Sequence, residues 1–356
     1  VTVISLFPIL MKKKIGLSER ELLMQSSGNL KIGGIVRLLK NIIKATAIFE
    51  GSGCILLAFR FIPKYGIGRG IYFSVFHAVS AFCNAGFDLM GNYSSLTSYE
   101  ADPLVNITIM LLIISGGLGF FVWDEIWHKR FKTKDYSLHS KIAVMTTLIL
   151  LAGGTAGFMI FEHNGDLKGL PVQEQFLASA FMSVTTRTAG FNTINLSTLS
   201  RPGSILSIIL MLIGGCPGST AGGIKTTTIA VVILSVICLS RGEENVTVYN
   251  KRLEHSLVKH AAVVILVYIM GALTAGMIIS SVEPYETRQI MFEIASAAGT
   301  VGLTMGITPK LCAVSKIVLI ILMYGGRIGG MTLLMVFREK HRDAPVMRPT
   351  EKVMIG

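Results

Sequence analysis

"TTRTAGFN", residues 185–192, is a short polar run with an arginine in it, set between two apolar stretches. The chain around it is 51% hydrophobic and only 15% charged, with a mean hydropathy of +0.61. Apolar surface in that proportion needs lipid as its solvent, so the fold class is an all-α, multi-pass membrane protein. Apolar runs near 42–62, 104–127, 141–161, 203–237, 258–281 and 311–337 reach the roughly 20 residues that cross a bilayer as helix. The opening "VTVISLFPILM", residues 1–11, is too short to span. It reads as the tail of a helix whose start lies upstream, and no cleavable signal peptide is visible.

The formal net charge of +12 raises the possibility of a nucleic-acid partner, which its distribution argues against. Segments 12–41, 128–141, 241–259 and 338–356 hold 21 Lys and Arg against 9 Asp and Glu, whereas 63–103, 162–202 and 282–310 hold 7 against 9. That is a positive-inside pattern, which puts the basic segments in the cytoplasm against phospholipid and the other set outside. Cys54, Cys83, Cys216, Cys238 and Cys312 show no CxxC spacing and read as small buried hydrophobes, and the seven histidines form no metal-ligand motif.

The opening motif recurs. "FCNAGF" at 82–87, "TRTAGF" at 186–191 and "GTVGLT" at 299–304 share [Asn/Thr]-[Ala/Val]-Gly-[Phe/Leu], with Gly86, Gly190 and Gly302 spaced 104 and 112 residues apart. Each follows an apolar segment too short to span (71–82, 175–185, 288–298) and precedes a longer one. The predicted unit is helix, short re-entrant helix, polar loop, helix. Non-helical backbone at membrane depth survives only when it is buried in protein or lines water, and carbonyls lining water can replace a cation's hydration shell. Glycine suits such a loop because it opens backbone angles closed to other residues and leaves the axis clear. A single copy would read as a helix break packed between helices; three copies in one context favour a filter built from Asn84, Ala85, Gly86, Thr188, Ala189, Gly190, Thr300, Val301 and Gly302.

On these motifs the chain resembles the Ktr/Trk/HKT superfamily of cation transporters, closest to the KtrB-type potassium-translocating membrane subunit. The resemblance runs over essentially the whole sequence. It implies repeats around one pore, four in the family and three complete here, with the first repeat mostly missing. The units are then 1–41, the end of the first inner helix and a cytoplasmic loop; 42–140, with its filter at 83–87; 141–257, with its filter at 187–191; and 258–356, with its filter at 299–303 and a cytoplasmic C-terminus. It implies potassium uptake across a bacterial plasma membrane, with sodium as an alternative or activating ion, a homodimer, and a cytosolic ring of nucleotide-binding regulatory subunits. No enzyme activity and no cofactor bound by this subunit are expected.

Two further elements fit that resemblance. "GGCPGSTAGGIKTTT", residues 214–228, breaks an inner helix, since no helix runs intact through that density of glycine with a proline. It is not a phosphate-binding loop, because Ile224 separates Gly223 from Lys225. The resemblance makes it a gate, with Gly214, Gly215, Gly218, Gly222, Gly223 and Lys225 as its residues; a passive kink is the alternative. Arg327, within "YGGRIGG" at 324–330, is a charge at membrane depth and should face a cavity or a partner. The resemblance places it under the filter beside the gate, and an ion pair with Glu50 is the alternative. Arg187 is expected to act as a strut paired with an acid behind the pore. A secondary transporter is the rival function, but its broken helices would sit in inverted repeats, whereas these run in one direction. An intramembrane enzyme lacks a nucleophile and base.

Overall fold

The computed structural model describes residues 35–129, 132–243 and 245–330; the expected helix tail near the N-terminus and the basic C-terminal segment lie outside them. Three long helices, α1 (Ile35–Tyr65), α5 (Leu138–Glu162) and α9 (His255–Val282), open three successive repeats. Each contains a stretch long and apolar enough to cross a membrane: 26, 25 and 28 residues. Each is followed by a short helix, α2 (Ile67–Phe82), α6 (Val172–Thr185) or α10 (Thr287–Gly299), and then by a glycine loop. The expected segments 71–82, 175–185 and 288–298 therefore fall inside these three helices.

The post-loop helices begin at strong start signals. Asp102 caps α3 (Pro103–Gly117) by accepting from Leu104 N at 3.0 Å, with Pro103 at the first helical position. Ser200 caps α7 (Arg201–Leu212) by accepting from Gly203 N at 3.0 Å, with Pro202 behind it. Both place an acceptor before a residue that needs no donor. The third, α11 (Ala313–Ile328), starts after Cys312.

Two apolar runs that look continuous in sequence do not remain single helices. The 104–127 run bends by 96° between α3 and α4 (Phe120–Lys129), at Leu118 and Gly119, where Gly119 sits at φ 88°. The 203–237 run stops at Leu212 and resumes as α8 (Thr226–Ser240). The break is thus 213–225, and Thr226–Thr228, expected within it, are helical. Among the described residues the only strands are β1 (Thr247–Val248) and β2 (Lys251–Arg252), an antiparallel hairpin between α8 and α9.

Successive repeats pack by the same rule: α3 lies against α6, and α7 against α10. Each post-loop helix thus meets the short helix of the next repeat, which draws the glycine loops to one centre. Phe181, Val184, Ala189 and Phe191 of the second repeat complete the core built on Phe61, Phe82 and Ile109 of the first. Phe292, Val301 and Leu303 of the third join Phe158, Met182 and Met211 of the second. The outward faces carry exposed Ile48, Phe59, Leu148, Ile160, Leu266 and Met277, a surface that only lipid solvates well. The chain is an all-α polytopic membrane protein.

Candidate functional site

The three loops share one backbone. Asn84 (φ 50°) and Gly86 (70°), Thr188 (71°) and Gly190 (89°), and Thr300 (55°) and Gly302 (92°) are left-handed, while Ala85, Ala189 and Val301 between them are not. Alternating handedness turns successive carbonyls toward the same side, the arrangement that lines a polar path. The non-glycine residues here are Asn84, Thr188 and Thr300; asparagine visits this region readily, whereas a β-branched threonine is strained in it.

The loops meet. A Cβ on Gly86 would overlap the Ala189 carbonyl oxygen and lie 2.8 Å from Gly190 Cα; one on Gly190 would overlap the Val301 oxygen and lie 3.2 Å from Gly86 Cα. One on Gly302 would have nothing nearer than Gly190 Cα at 3.9 Å. Asn84 Nδ2 adds a side-chain link to Thr188 Oγ1 at 3.3 Å. Each short helix ends immediately before its loop, at Phe82, Thr185 and Gly299, so three helix C-termini, with their partial negative charge, adjoin the loops.

Residues 213–225 lie directly beneath. Gly214 N donates to Ile224 O at 2.9 Å and Ile224 N to Leu212 O at 3.2 Å, pinching the loop's base. Its outer part is bonded to two other repeats. Cys216 N and Thr220 N donate to Gly117 O and Gly116 O at 2.9 and 3.2 Å, Phe120 N donates to Gly218 O at 3.0 Å, and Gly223 N donates to Gly326 O at 3.3 Å. Thr220 Oγ1 is 3.1 Å from Phe82 O and a Cβ on Gly222 would overlap Thr300 Oγ1, so the loop touches two of the three glycine loops. Thr226 N closes on Gly215 O at 3.1 Å, and Lys225 Nζ donates back to Ala221 O at 2.7 Å.

Arg327 extends from α11 and donates to Thr220 O at 2.7 Å. The alternative Glu50 partner is not used: among the described residues Arg327 makes no ion pair. Arg187 also departs from expectation. It is 6% exposed, its Nε has no hydrogen-bond partner, and no acid of the described residues pairs with it. It packs instead among Ile113, Thr147, Leu151 and Gly215 around a small void. An acid there would need its own desolvation repaid within an apolar wall. At the loop-rich end, Glu100 has its carboxyl pushed up by burial first and then by Glu174 and Asp166 nearby. No group of three or more His, Cys, Asp or Glu side chains among the described residues is placed to hold a metal.

The model of the family described as "TrkH: Cation transport protein" matches residues 1–347. The chain belongs to this family. It is 38% identical to the potassium/sodium uptake protein NtpJ of Enterococcus hirae, over 99% of this chain and 79% of that one. It is 36% identical to the Ktr system potassium uptake protein B of Bacillus subtilis, over 99% and 78%. The crystal structure of the potassium transporter TrkH from Vibrio parahaemolyticus superposes with a TM-score of 0.65 at 16% identity, covering 90% of this chain and 68% of that one, which shows the shared fold. The protein is a membrane cation transporter, not an enzyme. Sequence reasoning missed the bend at Gly119 in this TrkH-family chain and the Asn84 link between loops. A Gly-Gly pair follows each loop, Gly116-Gly117, Gly214-Gly215 and Gly325-Gly326, but the pair by itself does not signal a bend, since the third stays helical.

Proposed function

We propose that the three glycine loops are filter segments for potassium uptake and that residues 213–225, latched by Arg327, gate the path. The observation that carries this is the convergence of Gly86, Gly190 and Gly302, with identical alternation of backbone handedness in each loop. The filter atoms are the backbone oxygens of Asn84, Ala85, Gly86, Thr188, Ala189, Gly190, Thr300, Val301 and Gly302. Potassium is the ion named for both NtpJ and Ktr protein B, and sodium is named for NtpJ as well, so sodium is the ion against which selectivity matters. Each repeat offers a short column of carbonyls, hence few binding sites in series.

The filter end faces outward and the basic segments face the cytoplasm, on the charge asymmetry of 21 against 7 Lys and Arg. A Ktr-type subunit of this kind works as a homodimer with a cytosolic nucleotide-binding ring, whose preferential binding to one loop conformation opens the gate. Replacing Gly190 with serine should raise the half-saturating potassium concentration and admit sodium, measured as uptake in a potassium-requiring bacterium. Unchanged apparent affinity for both ions would remove this loop from the filter.

A further inference from the structure

Each glycine loop leaves the centre along an arm that runs back beside its own short helix. A first rung, close to the glycine, is present in all three repeats: Ser80 Oγ donates to Phe87 O at 2.7 Å, Thr185 Oγ1 donates to Phe191 O, and Ser296 Oγ accepts from Gly302 N at 3.1 Å. A second rung lies farther out, at the residue nine positions before the glycine. That residue is His77 in α2, Phe181 in α6 and Glu293 in α10.

Two of the three reach the same backbone atom. His77 Nε2 accepts from Leu89 N at 3.3 Å and Glu293 Oε1 accepts from Met305 N at 3.2 Å; both donors lie three residues after the glycine. His77 can accept there only in one state. Its Nδ1 sits 2.7 Å from Phe73 O, a group that can only accept, so Nδ1 carries the proton and Nε2 is bare. Glu293, 5% exposed, also takes the Thr304 hydroxyl on Oε1 and the Thr308 hydroxyl on Oε2 at 2.6 Å. Thr304 in turn accepts from Gly306 N at 2.9 Å. The second arm has Phe181 instead, fully buried. It is held from the neighbouring repeat, with Asn192 N donating to Ser95 Oγ at 3.1 Å and Leu96 N donating to Asn192 O at 3.0 Å.

We infer that His77 and Glu293 are positioning residues for ion selection: each ties the outer arm of its loop to its short helix and so fixes how far the glycine carbonyls stand from the axis. The inference rests on the filter assignment proposed above. A carbonyl ring discriminates between ions by the distance and number of its oxygens, and like dipoles crowded at one point repel. Left-handed residues on either side of Ala85 and Val301 make these loops costly to hold in shape. A tether behind the loop supplies that restraint without placing a side chain on the path. The splint ties the second arm to the first, so the arm that lacks a polar tether of its own is held through the neighbour whose arm His77 holds.

The test uses the full-length transporter in a potassium-requiring bacterium, with uptake normalised to protein in the membrane. Glu293→Ala loses all three accepted bonds and should raise the half-saturating potassium concentration about tenfold, roughly the net worth of one hydrogen bond, and strengthen competition by sodium, while maximal uptake changes less. Glu293→Gln should recover most of the affinity, because its carbonyl oxygen still accepts from Met305 N. His77→Phe places the second repeat's own residue in the first, and should shift affinity in the same direction by a few-fold; it also answers the question if Glu293→Ala fails to reach the membrane. Altered maximal uptake with unchanged half-saturation for both ions, in Glu293→Ala or in His77→Phe, would reduce these residues to scaffold. Gly302→Ser, measured alongside, separates the two ideas. If it shifts affinity and the tether variants do not, the tether falls alone; if it too leaves affinity unchanged, the filter assignment falls first.

Discussion

In the glycine loops, left-handed residues fall at the same two positions three times over, at Asn84 and Gly86, Thr188 and Gly190, Thr300 and Gly302. In the helices that follow, a shared Gly-Gly signal gives three different outcomes. After Gly116-Gly117 the chain turns by 96° across Leu118 and Gly119 and continues as helix. Gly214-Gly215 fall where the chain has already left helix, which stops at Leu212 and resumes at Thr226. Gly325-Gly326 stays helical, and α11 ends at Ile328 beside the left-handed Gly329. On the proposed reading the glycine loops form a ring of ligands around an ion, which needs equivalent contributions from every side. The proposed gate, by contrast, needs only one deformable element, and copies of it would compete for the space under the ring. The outer repeats serve that element instead: Gly116 and Gly117 accept its amides, and Gly326 accepts from Gly223 N.

The sharpest way to break the equivalence of the loops is to add one methyl group to each. Alanine at Gly86 or Gly302 incurs the same left-handed cost, roughly 1–2 kcal/mol, but the surroundings differ. At Gly86 the new Cβ meets the backbone of Ala189 and Gly190; at Gly302 it meets only Gly190 Cα at 3.9 Å. Backbone cannot yield as a side-chain tip can, and overpacking of this sort adds about 1–3 kcal/mol. Gly86→Ala should therefore cut potassium uptake on the order of a hundredfold, from these two terms together. Gly302→Ala should cost about tenfold, from the first alone. Equal losses would mean that the loops do not meet as described.

Much of this was legible in the sequence because it is local. The short helices, the glycine motif and the break at 214 follow from apolar length, from the repeat spacing and from glycine density. The bend at Gly119 was hidden because "LLIISGGLGFFVW", residues 111–123, is apolar throughout, and hydropathy carries no information about φ. The partner of Arg187 was misjudged for a different reason. A buried guanidinium invites an acid, but whether one is within reach depends on how α3, α5 and residues 213–225 pack behind the loop. The outer tethers were likewise invisible, since His77 and Glu293 share a position and a bond but no chemistry that an alignment by residue type would match.

A middle-sized effect is expected where the two regions connect. Arg327→Ala removes the 2.7 Å bond to Thr220 O, and with it a positive charge beneath the ring. A charge-assisted hydrogen bond is worth about 1.5–3 kcal/mol, so flux in liposomes without regulatory subunits should rise roughly tenfold while the potassium-to-sodium preference stays put. Arg327→Lys keeps the charge but loses the planar fork, and should fall between. If both variants conduct like the parent, residues 213–225 are a passive kink. If preference changes together with flux, gate and ring are one element and the contrast between them dissolves.

The smallest effect lies at the other end of the same helix, and it tests whether the Arg327 result is specific. Glu283, just after α9, accepts from Cys312 N at 2.8 Å and from Ser315 Oγ at 2.7 Å, so its carboxylate caps the start of α11 from outside. Those bonds, the Cys312 amide first and the Ser315 hydroxyl next, hold its carboxyl below the ordinary value of 4.5. A depressed carboxyl stabilises the fold fully above its unfolded value and ceases to do so as the pH falls through its lower folded value. Glu283→Gln in the purified protein should thus unfold at a slightly lower temperature than the parent at neutral pH, and the difference should close on acidification below 4.5. Its uptake should match the parent, since neither the ring nor residues 213–225 contact this cap. A change in flux as large as that of Arg327→Ala would show that any loosening of α11 opens the path, and that the bond to Thr220 is not the latch.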